Sequence, residues 1–160
     1  MLVSKRQFLT LSGMTAIGLT FGCGRDASAK GRFAIIKTDA EWRRLLSPAA
    51  YKVLRREDTE TPYSSRLKNE KRSGVFSCAG CDQPLFSSKT KYDSGTGWPS
   101  FYQPLPRGVG LSSDNKLGYS RNEVHCARCG GHLGHVFDDG PRPTGKRYCM
   151  NGVAMKFSAG

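Results

Sequence analysis

Cys149 is the residue whose type and setting could supply a nucleophile. It lies within residues 146–151, KRYCMN, where a lysine and an arginine precede it closely. Nearby positive charge favours the thiolate, which is the nucleophilic form of cysteine. His132 and His135 precede it by 17 and 14 residues, and residues 94–101 form a loop rich in Gly, Trp and Pro. These features together indicate a thiol-based active site, although a buried and inert cysteine fits the spacing equally well.

Four other cysteines form two CxxC pairs, Cys78 with Cys81 and Cys126 with Cys129. A glycine lies within or just after each pair, where a tight turn needs a permissive backbone. Zinc prefers four soft ligands in a tetrahedron, and two CxxC turns supply two each. The 44 residues between Cys81 and Cys126 exceed the roughly 15–20 of a zinc ribbon. We therefore predict one structural zinc ion that joins two distant parts of a β domain.

The spacing leaves two other states open for these four cysteines. In an exported protein they could form two disulfides instead. One pair could also be a redox-active CxxC, although no βαβ pattern surrounds either of them. Four thiolates around zinc would leave no open position for a substrate, so in the zinc interpretation the chemistry belongs elsewhere.

Two short helices are predicted ahead of these motifs. Thr38 and Glu41 have the spacing of a capping box, which begins a helix. Its apolar face would consist of Trp42, Leu45 and Leu46. Ser47 and Pro48 suit the N-cap and the first position of a second helix. Its apolar side would consist of Ala50, Tyr51, Val53 and Leu54.

Short β-strands are predicted from residue 74 onward. The candidates are residues 75–78, 84–86, 117–120, 123–126, 132–137, 147–150 and 153–157. Residues 117–120 and 123–126 would pair across Arg121 and Asn122, whereas residues 94–101 contain too much Gly and Pro for regular structure. Many short strands with frequent turns indicate a mainly β fold built on an antiparallel sheet or barrel.

Several motifs, in this order along the chain, resemble the methionine-R-sulfoxide reductase family, the B type. They are residues 92–95 (YDSG), 97–101 (GWPSF), 132–137 (HLGHVF), 139–141 (DGP) and 147–152 (RYCMNG). The CxxC pairs also fall where zinc-containing members have theirs. We therefore assign residues 30–160 to one reductase domain. The resemblance implies two antiparallel sheets forming a small β barrel, with short N-terminal helices and a zinc clip of four cysteines.

The resemblance also implies a reaction. The family reduces the R epimer of methionine sulfoxide, usually within oxidised proteins. Cys149 would attack the sulfoxide sulfur, release methionine and become a sulfenic acid. His132 and His135 would hydrogen-bond around the departing oxygen, which must be protonated. Arg147 and Asn151 match family residues that orient the substrate or tune the thiolate.

Two aromatic residues of the GWPSF motif are expected to bind the substrate. Trp98 matches the indole that packs on the methyl group of the substrate, and a polarizable methyl–sulfur group suits an aromatic surface. Phe101 is expected to contribute to the same site. Without the resemblance, Trp98 would be read as a core residue.

The chain departs from the family at Thr96. Many members have a cysteine here, which resolves the sulfenic acid by forming a disulfide. If Cys23 is removed or lipidated, no other free cysteine remains, so we predict a one-cysteine enzyme. A thioredoxin-like protein or a small thiol would reduce its sulfenic acid directly. A second departure, GVA at residues 152–154 in place of the more frequent SAS, is expected to affect the chemistry little.

Residues 1–29 are predicted to be an export signal. Residues 4–9, SKRQFL, resemble the twin-arginine signal with lysine in place of the first arginine. Residues 8–21 form an uncharged stretch that is shorter than the roughly 20 residues of a spanning helix. Cleavage after the ASA of residues 27–29, or lipidation of Cys23, would place the enzyme in the periplasm or cell envelope. An uncleaved amphipathic tail is the third interpretation.

The composition fits one basic domain. The formal charge is +12, of which the first 29 residues contribute +2. A basic surface can attract nucleic acid, anionic lipid or acidic protein, but scattered charges also fit a solvated face. The rival hypotheses are a zinc module that binds nucleic acid and a zinc-stabilised interaction domain with Cys149 buried. The leader and the long gap between CxxC pairs argue against nucleic acid, so we expect no such partner and, by default, a monomer.

Overall fold

A computed structural model describes residues 33–160 of the chain. The predicted export signal, with Cys23 inside it, lies outside the described residues, so cleavage and lipidation remain predictions. Within the described range, none of the helices has the length and apolarity needed to cross a membrane.

Residues 33–160 form two short α-helices followed by nine short β-strands. The helices are α1 (Asp39–Leu45) and α2 (Pro48–Arg56). The strands are β1 (Gly74–Cys78), β2 (Pro84–Ser87), β3 (Lys91–Tyr92), β4 (Ser100–Phe101), β5 (Val109–Asp114), β6 (Arg121–Cys126), β7 (His132–Phe137), β8 (Arg147–Met150) and β9 (Met155–Ala159). Single 3₁₀ turns lie at Arg66–Asn69, Ser88–Thr90 and Gly152–Ala154. The mainly β class is confirmed.

Both helices begin at the residues predicted from their caps. The Thr38 hydroxyl accepts a hydrogen bond from the Glu41 backbone N–H at 3.3 Å, and the Glu41 carboxylate accepts one from the Thr38 N–H at 2.7 Å. This reciprocal pair is a capping box, which satisfies two donors at the start of α1. Ser47 caps α2 by accepting from the Ala50 N–H at 3.2 Å.

The predicted apolar face of α1 is correct at two positions and wrong at the third. Trp42 and Leu46 are buried, whereas Leu45 is exposed. The reason is that the helix ends at Leu45. Leu46 leaves the helix in an extended conformation, which turns its side chain toward the core while Leu45 stays on the outside of the last turn.

The strands pair into two antiparallel sheets, as predicted. One has three strands in the order β2-β1-β9, and the other has six in the order β3-β4-β8-β7-β6-β5. In residues 33–160 the hydrogen-bonded ladders remain two open sheets, so no single ladder closes on itself. The two sheets meet through their side chains rather than through shared strands.

Aromatic packing joins the two sheets. Phe101 of the larger sheet stacks on Phe86 with a centroid distance of 4.3 Å and meets the edge of Phe76 at 5.0 Å. All three rings are completely buried. Complete burial of such side chains stabilises the fold by about 1.5–3 kcal/mol for each of them, so this cluster fixes β4 against the smaller sheet.

The partner of β6 differs from the prediction. β6 pairs with β5 in a register that runs from Val109–Cys126 to Asp114–Arg121. Residues 117–120, predicted as a strand, lie in the connection between β5 and β6. Gly118 has a φ of 80° there, a left-handed conformation that glycine adopts without steric cost. The segment therefore reverses the chain. The strand that pairs with β6 is β5, which lies before this segment and was not predicted because its sequence is largely polar.

The larger sheet places the predicted chemistry on adjacent strands. Cys149 of β8 lies beside Ser100 of β4 on one side and His135 of β7 on the other. Gly134 comes so close to β8 that a Cβ atom would collide with the carbonyl oxygen of Cys149. Glycine at this position permits that approach, which keeps the two strands in register beside the nucleophile.

Candidate active site and metal centre

A cavity of about 140 Å³ opens above the strand that carries Cys149. Its lining includes Trp98, Arg121, His135, Phe137, Cys149 and Asn151. Four predicted site residues therefore come together, although they lie in three separate parts of the sequence. A partly apolar cavity with a few convergent polar groups is the usual form of a small-molecule or side-chain binding site.

The Cys149 thiol is affected by opposing influences. Burial raises its pKa above the usual value, while the Thr96 hydroxyl and the Arg147 guanidinium lower it. The Thr96 Oγ1 lies 3.9 Å from the Cys149 Sγ and hydrogen-bonds to the Ser94 hydroxyl at 2.8 Å. The net effect raises the pKa, so the free thiol is mainly protonated at neutral pH. The positive charge expected from the sequence is present, but desolvation outweighs it.

Of the two cations that precede Cys149, only Arg147 acts on the thiol. Asp139 accepts two hydrogen bonds from the Arg147 guanidinium, at 2.9 and 2.8 Å, and this guanidinium lies 4.4 Å from the centre of the Phe137 ring. Both contacts fix its orientation beside the site. The Lys146 ammonium instead pairs with the exposed Asp138, which directs its charge away from Cys149.

His132 is almost completely buried and is not among the residues that line the cavity; it contacts His135, which is among them. Its Nδ1 lies 2.8 Å from the Glu123 carboxylate. A carboxylate can only accept, so this bond requires the proton on Nδ1. Within residues 33–160 the buried Nε2 has no hydrogen-bond partner. This nitrogen is therefore the polar atom of the ring whose hydrogen-bonding capacity is unused within the described residues.

His135 contributes to the lining directly. Its Nε2 donates to the Asp114 carboxylate at 2.8 Å, and Arg121 pairs with the same carboxylate at 2.6 Å. Burial lowers the pKa of His135, and the bond to Asp114 opposes that shift. The rings of His132 and His135 meet edge-on with centroids 5.3 Å apart, so the two imidazoles are in contact while each is held by its own carboxylate.

Trp98 and Asn151 contribute to the cavity, whereas Phe101 does not. The Trp98 indole N–H donates to the backbone carbonyl of Glu60 at 3.0 Å, and the Asn151 amide donates to the backbone carbonyl of Leu133 at 3.0 Å. Phe101 is completely buried in the aromatic cluster between the sheets. The prediction of a substrate contact at Phe101 is therefore corrected to a packing role beneath the site.

The four CxxC cysteines form a compact cluster away from Cys149. Their sulfur atoms all lie within 4.8 Å of one another. The separations are 3.8 Å for Cys78–Cys129 and 3.5 Å for Cys81–Cys126. A zinc tetrahedron with Zn–S bonds of about 2.3 Å has sulfur–sulfur edges of about 3.8 Å, while a disulfide needs about 2.05 Å. The cluster therefore fits one metal ion, and its four thiols suit zinc.

Three residues that support the two histidines are not identified by the sequence motifs. Asp114, Arg121 and Glu123 lie on β5 and β6, and only the pairing of β5, β6 and β7 brings them to the site. The sequence contains one pattern that could have indicated them. In β6, polar residues alternate with Val124 and Cys126, which predicts a strand with one polar face. Glu60, in a polar loop, gave no such signal.

Within residues 33–160, Cys149 is the cysteine outside the metal cluster, and it shares a cavity with an indole and an imidazole. A β fold with this site defines a thiol-dependent enzyme whose scaffold carries a four-cysteine cluster that could hold a metal ion. Comparison with known proteins agrees: the SelR domain matches residues 46–159. The chain therefore belongs to the SelR domain family, and its resemblance to the methionine-R-sulfoxide reductases is confirmed.

Individual relatives extend over most of the chain. The peptide methionine sulfoxide reductase MsrB of Leifsonia xyli is 54% identical over 132 residues, which is 81% of this chain and 95% of that protein. The MsrB of Methanosarcina barkeri is 53% identical over 125 residues, 78% of this chain and 88% of that protein. The chloroplastic B1 enzyme of Arabidopsis thaliana is 50% identical over 131 residues, 81% of this chain and 64% of that protein.

Proposed function

We propose that this protein reduces the R epimer of methionine sulfoxide in oxidised proteins and that Cys149 is its nucleophile. The observation that carries the proposal is the placement of the Cys149 thiol in one cavity with Trp98 and His135. The indole offers an apolar surface for the methyl group of the substrate. The thiol then meets the sulfoxide sulfur, and the imidazoles face the oxygen.

The reductive step transfers the oxygen atom. The Cys149 thiolate forms a bond to the sulfoxide sulfur, the oxygen takes up a proton, and its transfer to the cysteine leaves methionine and a cysteine sulfenic acid. Two electrons pass from the cysteine sulfur to the methionine sulfur. Because the thiol has a raised pKa, the step also needs a group that accepts its proton.

The histidines are proposed to manage the protons. The carboxylate of Glu123 holds the proton of His132 on Nδ1. We propose that Nε2, which has no partner within residues 33–160, acts on the departing oxygen. His135 is held through Nε2 by Asp114 and lies in the cavity lining. We assign the delivery of a proton to the departing oxygen to this pair.

Regeneration is proposed to need an external thiol. Thr96 is the residue next to Cys149 where many family members have a second cysteine, and the other four cysteines of residues 33–160 belong to the metal cluster. One reductant thiol would form a mixed disulfide with Cys149 and release water. A second thiol would then release Cys149 and leave the reductant as a disulfide. A thioredoxin-like protein or a small dithiol can supply both.

Zinc is proposed to be structural. Cys78 and Cys81 lie at the turn between β1 and β2, and Cys126 and Cys129 lie at the turn between β6 and β7. A metal held by all four joins the two sheets at this end of the domain and has no open coordination position.

The reductase activity is tested with the two epimers separately. Purified protein is incubated with dithiothreitol and a peptide that carries either the R or the S sulfoxide, with Cys149→Ser as the matched variant. Methionine should form only from the R epimer and only with the wild-type protein. Turnover by folded Cys149→Ser, or none by folded, zinc-loaded wild type, would contradict the proposal.

We further propose that the protein is exported, on the basis of residues 1–29. Cell fractionation of the full chain should place it in the periplasm or envelope, and N-terminal sequencing should give a new terminus after Ala29 or a blocked, lipid-modified Cys23. An intact N-terminus in the cytoplasm would contradict export.

A further inference from the structure

Glu60 contacts two different parts of the cavity wall through its backbone. Its carbonyl oxygen accepts the indole N–H of Trp98 at 3.0 Å, and its N–H donates to the Asn151 side-chain oxygen at 2.9 Å. Trp98 and Asn151 both line the cavity, and they are 53 positions apart in sequence. One residue of the loop after α2 therefore touches both groups.

The carboxylate of Glu60 anchors the same residue to the chain that follows Cys149. One carboxylate oxygen accepts the Gly152 N–H at 2.6 Å and the other accepts the Val153 N–H at 2.9 Å. These amides begin the 3₁₀ turn Gly152–Ala154, for which Asn151 provides no side-chain cap. The Glu60 side chain supplies that cap from 92 residues away. Charge-assisted bonds of this kind are stronger than neutral ones.

The fit around this anchor is tight. A Cβ atom at Gly152 would collide with the Ser65 hydroxyl and would lie 3.3 Å from the Glu60 carboxylate. Gly152 thus lets the turn approach the loop closely enough for both carboxylate bonds to form.

We propose that Glu60 is a positioning residue for the reaction. By binding the turn after Cys149 through its carboxylate, and Trp98 and Asn151 through its backbone, it sets the distance between the indole and the amide across the cavity. It acts on substrate binding rather than on the thiol, since its hydrogen bonds within residues 33–160 are to Trp98, Asn151, Gly152 and Val153 and not to Cys149. This inference rests on the proposed function, because its kinetic consequence is defined for that reaction.

The variants are Glu60→Ala and Glu60→Gln, with Glu57→Gln as the control. Glu57 is a carboxylate at the start of the same loop, and it pairs with Lys116 on the surface. Glutamine at position 60 has one acceptor oxygen and directs an amide N–H at the second backbone donor, so one bond is lost. We expect KM for the R-sulfoxide peptide to rise about tenfold in Glu60→Ala, less in Glu60→Gln, and not at all in the control.

A second readout separates positioning from general loss of structure. The rate of Cys149 alkylation by iodoacetamide, measured against pH, should stay at the wild-type value in both variants, because the thiol keeps its neighbours. Accessibility of Trp98 to acrylamide, assigned by comparison with Trp98→Phe, should increase. Unchanged KM and unchanged Trp98 quenching in folded Glu60→Ala would overturn the inference, as would a change in alkylation that parallels the kinetic loss.

The quenching measurement also works if the wild-type protein reduces neither epimer. In that case the proposed function fails, while the contact between Glu60 and Trp98 is still tested. If Glu60→Ala does not fold, acrylamide quenching of Trp98 is compared between Glu60→Gln and the control Glu57→Gln. Equal quenching in these two variants would overturn the inference.

Discussion

The Glu123 carboxylate holds the His132 imidazole through its Nδ1 at a distance of 2.8 Å. Ser112 donates to the other Glu123 oxygen at 2.6 Å, which fixes the carboxylate in turn. The imidazole is therefore oriented through a chain of side chains on β5, β6 and β7. Such outer contacts decide which ring nitrogen carries the proton, and this one leaves the buried Nε2 without a partner within residues 33–160.

Replacing Glu123 with glutamine should reduce turnover more than binding. The amide can no longer hold the proton on Nδ1 by charge, so the histidine samples the wrong tautomer during proton transfer. We expect kcat for the R epimer to fall by about 10- to 100-fold with KM nearly unchanged. Asp138→Asn, which removes an exposed carboxylate paired with Lys146, is the control. A fall in KM equal to the fall in kcat would contradict this assignment.

The same residue should contribute to stability in acid. The bond from His132 lowers the pKa of Glu123 from 4.5 to about 2, against the opposing effect of burial. Because the folded protein has the lower value, this stabilisation is complete above pH 4.5 and is lost as the pH falls toward 2. Urea unfolding at several pH values should show a shallower decline for Glu123→Gln than for wild type between these limits. If the free energy of unfolding declined equally with falling pH in both proteins, Glu123 would not contribute to stability in acid.

The helix starts and most strands could be predicted from local patterns. Thr38 with Glu41, and Ser47 with Pro48, determine helix ends through contacts within four residues, so the sequence shows them directly. The β5–β6 hairpin could not be predicted in this way. The sequence VGLSSD of β5 has no strong apolar alternation, and its pairing depends on the turn at Gly118.

The site residues also divide into those that local motifs identify and those that only long-range pairing brings to the site. Cys149, the histidines and Trp98 lie in recognisable motifs, so their association was predicted. Asp114 and Glu123 reach the histidines only through strand register, and Glu60 reaches Gly152 across 92 residues. Phe101 was misassigned because a motif gives the order of residues and not the face of the strand on which each one lies.

The Cys149 thiol should titrate above its usual value in the free enzyme. Burial raises its pKa above that of an ordinary thiol, so the midpoint of the pH profile for alkylation by iodoacetamide should lie above that of free cysteine. Thr96→Val and Arg147→Gln each remove a group that lowers the pKa, and both should move the midpoint higher. Lys146→Gln is the control beside Arg147, because Asp138 pairs with this lysine, and it should leave the midpoint unchanged. A lower alkylation midpoint in either variant would contradict the inference that Thr96 and Arg147 lower the pKa of Cys149.

Removing one sulfur of the metal cluster should unfold the domain or lower its stability. Cys126 is completely buried, and its replacement by serine leaves three thiols for the metal. We expect loss of bound zinc, a marked fall in the unfolding temperature and loss of activity, because structural zinc contributes directly to folding. Metal analysis with circular dichroism measures both effects, and Cys149→Ser should keep its zinc. Full stability of a zinc-free Cys126→Ser protein would contradict a structural role.

Introducing a second cysteine beside the nucleophile should change how the enzyme is regenerated. The Thr96 hydroxyl lies 3.9 Å from the Cys149 sulfur, so Thr96→Cys brings a thiol next to the sulfenic acid. After one turnover without reductant, mass spectrometry should show a disulfide between positions 96 and 149 in the variant. The wild type should instead show a sulfenic acid on Cys149 that dimedone traps. Methionine leaves before this disulfide forms, so the variant should still release methionine in a single turnover. An intramolecular disulfide that includes Cys149 in the wild type would contradict the one-cysteine mechanism.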